Sequence, residues 1–201
     1  GGSCSSGPLV GRLRRLDSPV VLFGSDDGLL YCVDGGGAER WHFQAGEPID
    51  ASLSACDVDG DGSLEIIFAD TEQFLFCLSC EGQERWRAAV GGADSNPAVS
   101  DVDGDGKPEV LLASSIGVLH CLSAEGRSKW GYRRPVKTPS SPALADLDGD
   151  GKVEVLCAYR DGMVTCLQGG QALAGGNWPT RRGTPAGTGA MGCLFPLFQS
   201  D

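Results

Sequence analysis

An internal repeat of 44 to 45 residues constrains the fold of this 201-residue chain more than any other feature of its sequence. A nine-residue acidic segment of the form Asp-x-Asp-Gly-Asp-Gly-x-x-Glu occurs three times at that spacing, at residues 57–65, 101–109 and 146–154. These segments are named loop 2, loop 3 and loop 4. A fixed period of this length is typical of repeat proteins, in which each repeat is one structural unit.

The periodicity extends beyond the acidic segments into the apolar parts of each repeat. A cysteine stands at an equivalent position in four repeats, and a tryptophan follows it by nine residues in the first three. These residues are Cys32, Cys77, Cys121 and Cys166, with Trp41, Trp86 and Trp130. The chain therefore contains four repeats, of which the first has no acidic loop.

Each repeat consists of short apolar runs of four to six residues separated by Gly/Asp turns, as at 142–145, 153–157 and 163–167. Such runs are typical of antiparallel strands, and no window shows sustained helical periodicity. Four strands per repeat predict an all-β chain, a β-propeller built of four-stranded antiparallel blades with about four blades present.

We predict the following organisation from the repeat boundaries. An N-terminal segment at 1–18 could join the first blade, which covers 19–47 and has no metal loop. The other blades cover 48–92, 93–136 and 137–175, and a C-terminal segment at 176–201 wraps or closes the array.

The spacing of the acidic residues predicts a calcium site in each loop. Calcium takes six to eight oxygen ligands, and EF-hand loops supply them at alternating positions with a glycine at the sixth. Here Asp stands at positions 1, 3 and 5, Gly at 6 and Glu at 9, and a backbone carbonyl at 7 would add a fifth oxygen. Repulsion among four carboxylates nearly requires a cation in the folded loop.

Other interpretations of the loops fit less well. An EF-hand needs a carboxylate at position 12, where this chain has Phe68, Leu112 and Cys157. Magnesium usually keeps several waters and uses fewer carboxylates. Simple Asp/Gly turns are common singly, but three copies in register with an acid at position 9 disfavour a purely structural interpretation.

The loops also account for the acidity of the chain. The net charge is −11, from 27 acidic and 16 basic residues. The loops hold twelve of these acids, and without them 15 acidic residues face 16 basic ones. Three calcium ions would bring the net charge from −11 to −5.

An acidic chain is a poor partner for nucleic acid, and no apolar stretch is long enough to span a membrane.

The acidic loop with its following strand, as in Asp-Val-Asp-Gly-Asp-Gly-Lys-Pro-Glu-Val at 101–110, resembles the FG-GAP (integrin-α-like) repeat. The segments at 28–41 and 81–86 resemble the tryptophan-docking segment of PQQ-like repeats. The resemblance implies a β-propeller with calcium in its loops that serves adhesion, binding or assembly, and Trp41, Trp86 and Trp130 packed between blades. The implied metal ligands are Asp57, Asp59, Asp61, Ser63 and Glu65; Asp101, Asp103, Asp105, Lys107 and Glu109; and Asp146, Asp148, Asp150, Lys152 and Glu154, with position 7 contributing its carbonyl.

We expect a non-catalytic calcium-binding module for adhesion or protein–protein interaction, holding up to three Ca²⁺. His42 and His120 are the only histidines, and no nucleophile motif occurs. The alternatives are a carbohydrate-binding, lectin-like propeller and an accessory propeller fragment of a larger enzyme, such as a polysaccharide lyase or a quinoprotein. The sequence names no protein or glycan ligand.

The assembly and the location of the chain stay open at this stage. Four repeats could form an arc of a larger ring, a closed four-blade ring, or half of a homodimeric eight-blade ring. Calcium loops favour an extracellular, cell-surface or periplasmic location, whereas nine cysteines in odd number favour free thiols and a reducing compartment. The chain shows no signal peptide.

Overall fold

The computed structural model describes residues 3–14, 18–93, 95–136, 140–147, 149 and 152–168. These residues form fifteen β-strands in four antiparallel sheets. Sheet 1 consists of β1 (Leu9–Gly11), β2 (Val20–Gly24), β3 (Leu29–Asp34) and β4 (Glu39–Gln44). Sheet 2 consists of β5 (Ser54–Cys56), β6 (Glu65–Ala69), β7 (Phe74–Leu78) and β8 (Glu84–Ala89). Sheet 3 consists of β9 (Ala98–Ser100), β10 (Glu109–Ala113), β11 (Val118–Leu122) and β12 (Ser128–Arg133), and sheet 4 of β13 (Ala143–Ala145), β14 (Glu154–Ala158) and β15 (Val164–Gln168).

Every sheet is a meander in which each strand pairs with the next along the chain. Short turns allow such neighbours to pair, and the Gly/Asp punctuation of the sequence supplies those turns. The predicted all-β class and the four blades are confirmed, with three strands of the fourth sheet inside the described residues. The C-terminal segment predicted at 176–201 lies outside them. No helix in the described part has the length and apolarity needed to cross a membrane.

Burial along the strands shows how the sheets stack. All five residues of β6 and all five of β10 are buried, whereas β2 alternates between buried and half-buried positions. A strand is buried on both faces only when a layer covers each face of its sheet. Sheets 2 and 3 are therefore the inner layers of a row of four.

Three apolar cores fill the spaces between successive sheets. The first core packs Leu22 and Leu30 of sheet 1 against Phe68 and Phe76 of sheet 2. The second lies between sheets 2 and 3, and the third between sheets 3 and 4. The short first strands lie side by side, with β9 next to both β5 and β13, and Ser54 Oγ donates to the Pro97 carbonyl at 2.6 Å. Sheets that stack face to face around their first strands are the blades of a propeller.

Three of the four repeated cysteines lie inside these cores. Cys32, Cys77 and Cys121 are fully buried, Cys166 is 7% exposed, and no disulfide joins two of the described cysteines. Burial raises the pKa of the Cys32 thiol to about 11 and that of Cys77 to about 12. These thiols stay protonated near neutral pH and act as small apolar side chains.

A tryptophan of one sheet packs on a glycine of the next. A Cβ atom at Gly82 would lie 2.7 Å from the Trp41 ring, and one at Gly126 would lie 2.5 Å from the Trp86 ring. Trp86 Nε1 also donates a hydrogen bond to the Ala124 carbonyl at 2.8 Å. Only glycine leaves room for an indole against the backbone at these turns.

We predict that Gly126→Ala lowers the free energy of unfolding by more than Gly37→Ala does. Both glycines have positive φ, 76° and 83°, so each alanine costs about 1–2 kcal/mol of backbone strain. Only at Gly126 does the new methyl group also meet Trp86, which adds about 1–3 kcal/mol of overpacking, because nothing lies within 4 Å of a Cβ at Gly37. Urea unfolding of the two variants measures the difference, and equal losses would contradict the packing.

One histidine is half-buried in sheet 3. His120 of β11 is half-buried beside Ser114, with Nε2 3.3 Å from Ser114 Oγ. Burial lowers its pKa below the ordinary value because the charged imidazolium loses water. The folded chain therefore binds this proton less readily than the unfolded chain does.

We predict that His120 makes stability fall as the pH drops from about 7.5 to 5.5, since the unfolded histidine protonates near pH 6.5. His120→Phe removes this part of the pH dependence, and Phe76 already occupies the equivalent position of the previous repeat. Melting temperatures across the pH range measure the slope. A slope that survives in His120→Phe would refute the assignment.

Candidate metal centres

The three acidic loops connect the first and second strands of sheets 2, 3 and 4. Each loop ends at the glutamate of position 9, which is the first residue of the second strand: Glu65 of β6, Glu109 of β10 and Glu154 of β14. The strand positions this glutamate, and the rest of the loop curls around it.

The first aspartate of each loop holds the curl. In loop 3, Asp101 Oδ1 accepts from the Gly104 amide at 2.7 Å and Asp101 Oδ2 from the Gly106 amide at 2.8 Å. The two glycines have φ values of 78° and 84°, a conformation that glycine adopts without strain. In loop 2, Asp57 bonds Gly60 at 2.7 Å and Gly62 at 2.9 Å in the same way.

The third aspartate turns the backbone toward the strand. Asp61 Oδ1 accepts from the Ser63 amide at 2.7 Å, and Asp105 Oδ1 accepts from the Lys107 amide at 2.8 Å. The bond from Lys107 holds the pKa of Asp105 below its ordinary value. These contacts use the amides of Ser63 and Lys107, and the predicted role of their carbonyls as ligands stays a prediction.

The glutamate at position 9 is buried in all three loops. Glu65 is fully buried, and Glu109 and Glu154 are 1% exposed. One oxygen of each accepts from the amide of loop position 2: Val58 at 3.1 Å, Val102 at 2.9 Å and Leu147 at 2.9 Å. Burial raises the pKa of Glu65 and of Glu109. The second oxygen of Glu65, Oε1, is buried and accepts no hydrogen bond.

The loops bring carboxylate oxygens together at spacings suited to a cation. Asp57, Asp59 and Asp61 offer oxygens that all lie within 4.8 Å of one another. In loop 3 the same criterion joins Asp101, Asp103 and Glu109. Such all-oxygen donor sets fit a hard divalent ion. The residues of loops 2 and 3 could therefore hold a metal.

Loop 4 repeats the first of these contacts. Asp146 Oδ1 accepts from the Gly149 amide at 2.7 Å, and Glu154 is buried as its equivalents are. Asp148 and Asp150, two of the predicted ligands, lie outside the described residues.

The sequence interpretation missed two basic side chains that reach into the acidic clusters. Arg85 of β8 pairs with Asp59, and its Nη2 lies 3.6 Å from Asp61 Oδ2 and 3.2 Å from Glu65 Oε1. The Glu65 contact is an ion pair without hydrogen-bond alignment, which is why Oε1 accepts no hydrogen bond. The bond from Arg85 lowers the pKa of Asp59.

Lys129 of β12 occupies the equivalent place in loop 3. Its Nζ lies 2.5 Å from Asp103 Oδ2, 3.4 Å from Asp105 Oδ2 and 2.7 Å from Glu109 Oε1. Burial lowers the pKa of Lys129, but the hydrogen bonds to Asp103 and Glu109 outweigh it, so the pKa is raised overall. The sequence carried a signal for both residues, because Arg85 and Lys129 each stand immediately before the tryptophan of their repeat.

Comparison with known proteins agrees with the fold and with the loop. Residues 101–157 match the FG-GAP-like repeat family, and this stretch begins with loop 3 and includes loop 4. No curated protein matches the chain in sequence.

Solved structures match a much larger part of the chain than the family comparison does. BamB from Moraxella catarrhalis is 20% identical with a TM-score of 0.62, and the match covers 83% of this chain and 47% of BamB. BBS1N, solved in complex with ARL6DN, is 12% identical with a TM-score of 0.58, covering 83% of this chain and 49% of BBS1N. Quinohemoprotein alcohol dehydrogenase from Comamonas testosteroni is 16% identical with a TM-score of 0.59, covering 85% of this chain and 36% of the dehydrogenase.

The chain spans less than half the length of each of these three proteins. At such identities the matches show a shared fold, and the fold is the same stack of antiparallel blades. The resemblance drawn from the sequence is confirmed: the chain is a β-propeller protein that carries an FG-GAP-like repeat.

Proposed function

We propose that the chain is a non-catalytic calcium-binding β-propeller module for adhesion or protein–protein interaction, in which Ca²⁺ stabilises the blade loops. The observation that carries this proposal is the convergence of carboxylate oxygens in two loops, from three aspartates in loop 2 and from two aspartates and the buried Glu109 in loop 3. A buried carboxylate is costly unless a cation or several hydrogen bonds compensate it.

Calcium fits these loops better than magnesium does. Calcium accepts six to eight oxygens in flexible geometry, whereas magnesium demands six in a near-ideal octahedron and keeps several waters. Each loop offers up to four carboxylates and a carbonyl on a curled backbone. Such a set of charged oxygens suits calcium, and water could complete the shell.

The described histidines do not form a catalytic site. His42 is exposed on β4 and pairs with Glu39 at 2.7 Å, and Nε2 of the half-buried His120 lies 3.3 Å from Ser114 Oγ. These histidines lie in different sheets. This placement favours a binding module over an enzyme.

Protein binding is a better candidate than sugar binding for this module. A cavity of about 430 Å³ beside loop 2 is lined by Trp86, Asp59, Arg85 and Glu125, among others. One face of the Trp86 ring already packs on Gly126 and its Nε1 bonds Ala124, so that face is not available to stack on a sugar. BBS1N, which shares the fold, was solved with the protein partner ARL6DN.

We propose that further blades, from a second copy of the chain or from a longer chain, complete a ring. Val58 and Val102 are buried between sheets, whereas Leu147 at the equivalent position of sheet 4 is 56% exposed. The chain also spans less than half of each matching structure. A solution mass of two chains supports the homodimer, and a compact monomer supports closure of the four blades.

We propose an extracellular, cell-surface or periplasmic location, because loops of this type often bind calcium in the millimolar range outside cells. The buried thiols of the described cysteines do not conflict with this, since they are protonated and inert.

We predict that calcium raises the melting temperature of the chain. Binding to the folded state alone adds about 2.7 kcal/mol per site when calcium is 100-fold above its dissociation constant. Differential scanning calorimetry with millimolar Ca²⁺, with the same concentration of Mg²⁺ and with chelator measures the effect. The shift with Mg²⁺ is expected to be smaller. No shift with either ion would contradict the proposed function.

A second prediction concerns the aspartate at loop position 1. Asp101→Asn keeps an oxygen for the Gly104 amide but loses the acceptor of the Gly106 amide together with one charge, so the calcium site of loop 3 should weaken. Asp34→Asn is the control, because Asp34 also caps a turn, accepting from Gly36 at 2.8 Å through Oδ1, but belongs to no acidic cluster among the described residues. Calcium titration by calorimetry should show one weakened site only in Asp101→Asn. Equal binding by both variants would exclude loop 3.

A further inference from the structure

Arg85 and Lys129 occupy one position of the repeat. Each stands 20 residues after the glutamate of its loop and directly before a blade tryptophan. Arg40 stands at this position in the first repeat, which has no acidic loop, and Arg40 is exposed. The base points into a cluster of carboxylates only where a loop supplies them.

The bases contact residues whose oxygens a metal would use. Lys129 Nζ lies within 2.7 Å of oxygens of Asp103 and Glu109, two of the three residues whose oxygens converge in loop 3. Arg85 pairs with Asp59 and lies 3.6 Å from Asp61, two of the three residues that converge in loop 2.

A divalent ion and a basic side chain cannot both be held closely by the same oxygens. Two positive charges a few ångströms apart repel strongly in a partly buried site. Lys129 is about one quarter exposed and Arg85 about one third, so each has a route by which its head can move into solvent. A long basic side chain can make that move while its stem stays packed.

We propose that Arg85 and Lys129 are tethered cations that neutralise loops 2 and 3 when metal is absent and compete with Ca²⁺ for the same oxygens, a role that rests on the proposed function. They keep the buried glutamates compensated in the metal-free chain. They also weaken calcium binding, because each ion must first displace the base. In each of these two loops calcium therefore takes the place of a basic side chain. The loop keeps its fold when the ion is absent.

Lys129→Met and Arg85→Met test this competition, because methionine keeps much of the apolar stem and removes the charge. Each variant should bind calcium about tenfold more tightly at its own loop, as expected when a partly buried ion pair no longer has to be broken. Each should also melt at a lower temperature than the wild type in chelator. Titration calorimetry measures the affinity, and calorimetric melting measures the stability.

Two other arginines provide matched controls, one on β8 and one directly before β12. Arg87→Met on β8 removes an arginine that pairs with Glu84 at 3.5 Å, and Arg127→Met removes one that pairs with Glu125 at 3.1 Å. Within the described residues neither arginine forms an ion pair with an acidic loop, so both should leave calcium affinity unchanged. Tighter binding in the controls would reveal a general charge effect and overturn the competition.

Chemical labelling provides a test in the wild-type chain, which does not require a variant to fold. Lys129 should be acetylated slowly in chelator, where its ammonium is held by carboxylates, and severalfold faster in calcium, where it is displaced. Lys107 is exposed in the same loop and serves as the internal control. Mass spectrometry of the labelled peptides measures both rates, and a Lys129 rate that calcium does not change would overturn the proposal.

The outcomes separate this proposal from the proposed function. If the wild-type chain binds no calcium, the proposed function fails. If it binds calcium and Lys129→Met and Arg85→Met bind it equally or more weakly, the proposed function stands and the competition is wrong.

Discussion

The buried glutamate at the start of the second strand is the constraint on which the acidic loops depend. Glu65, Glu109 and Glu154 each turn one oxygen to the amide of loop position 2, which fixes the two ends of the loop against each other. A carboxylate removed from water costs several kcal/mol unless it is compensated. The aspartates of the loop add electrostatic repulsion to this desolvation cost. A cation offsets both the repulsion and the desolvation.

The structure shows one source of that positive charge within the chain itself. Lys129 and Arg85 reach the clusters from the outermost strands of their own sheets. In sheets 2 and 3 the acidic residues and the base that pairs with them therefore belong to the same blade. The blade tryptophan next to each base packs on the following sheet. The same short segment therefore contributes to the contact between blades and to the charge balance of a loop.

Much of this arrangement follows from the sequence. The repeat period and the apolar runs predicted the antiparallel blades, and the acidic spacing predicted which aspartates would curl together. The pairing of Lys129 with loop 3 could not be derived in the same way, because 20 residues and two strands separate the base from the glutamate. Only the register of β11 against β12, and of β10 against β11, brings the two side chains to one end of the sheet. The expectation that the folded loop nearly requires a metal counted the carboxylates alone and left this base out.

The first repeat has the packing residues of a blade but no acidic loop. It keeps the cysteine, the tryptophan and Arg40, but it lacks the carboxylates, and Arg40 remains in solvent. Blade packing and ion binding are thus separable properties of the repeat. The packing depends on the apolar strands and on the glycine beneath the tryptophan, whereas the charge chemistry depends on nine residues of one loop.

The number of calcium ions bound by each folded chain tests the central claim most directly. Equilibrium dialysis of the chelator-treated protein against millimolar calcium, followed by elemental analysis, measures this number. The account predicts up to three ions per chain, with at least the two that loops 2 and 3 would hold. A chain that remains folded and retains no calcium would contradict it.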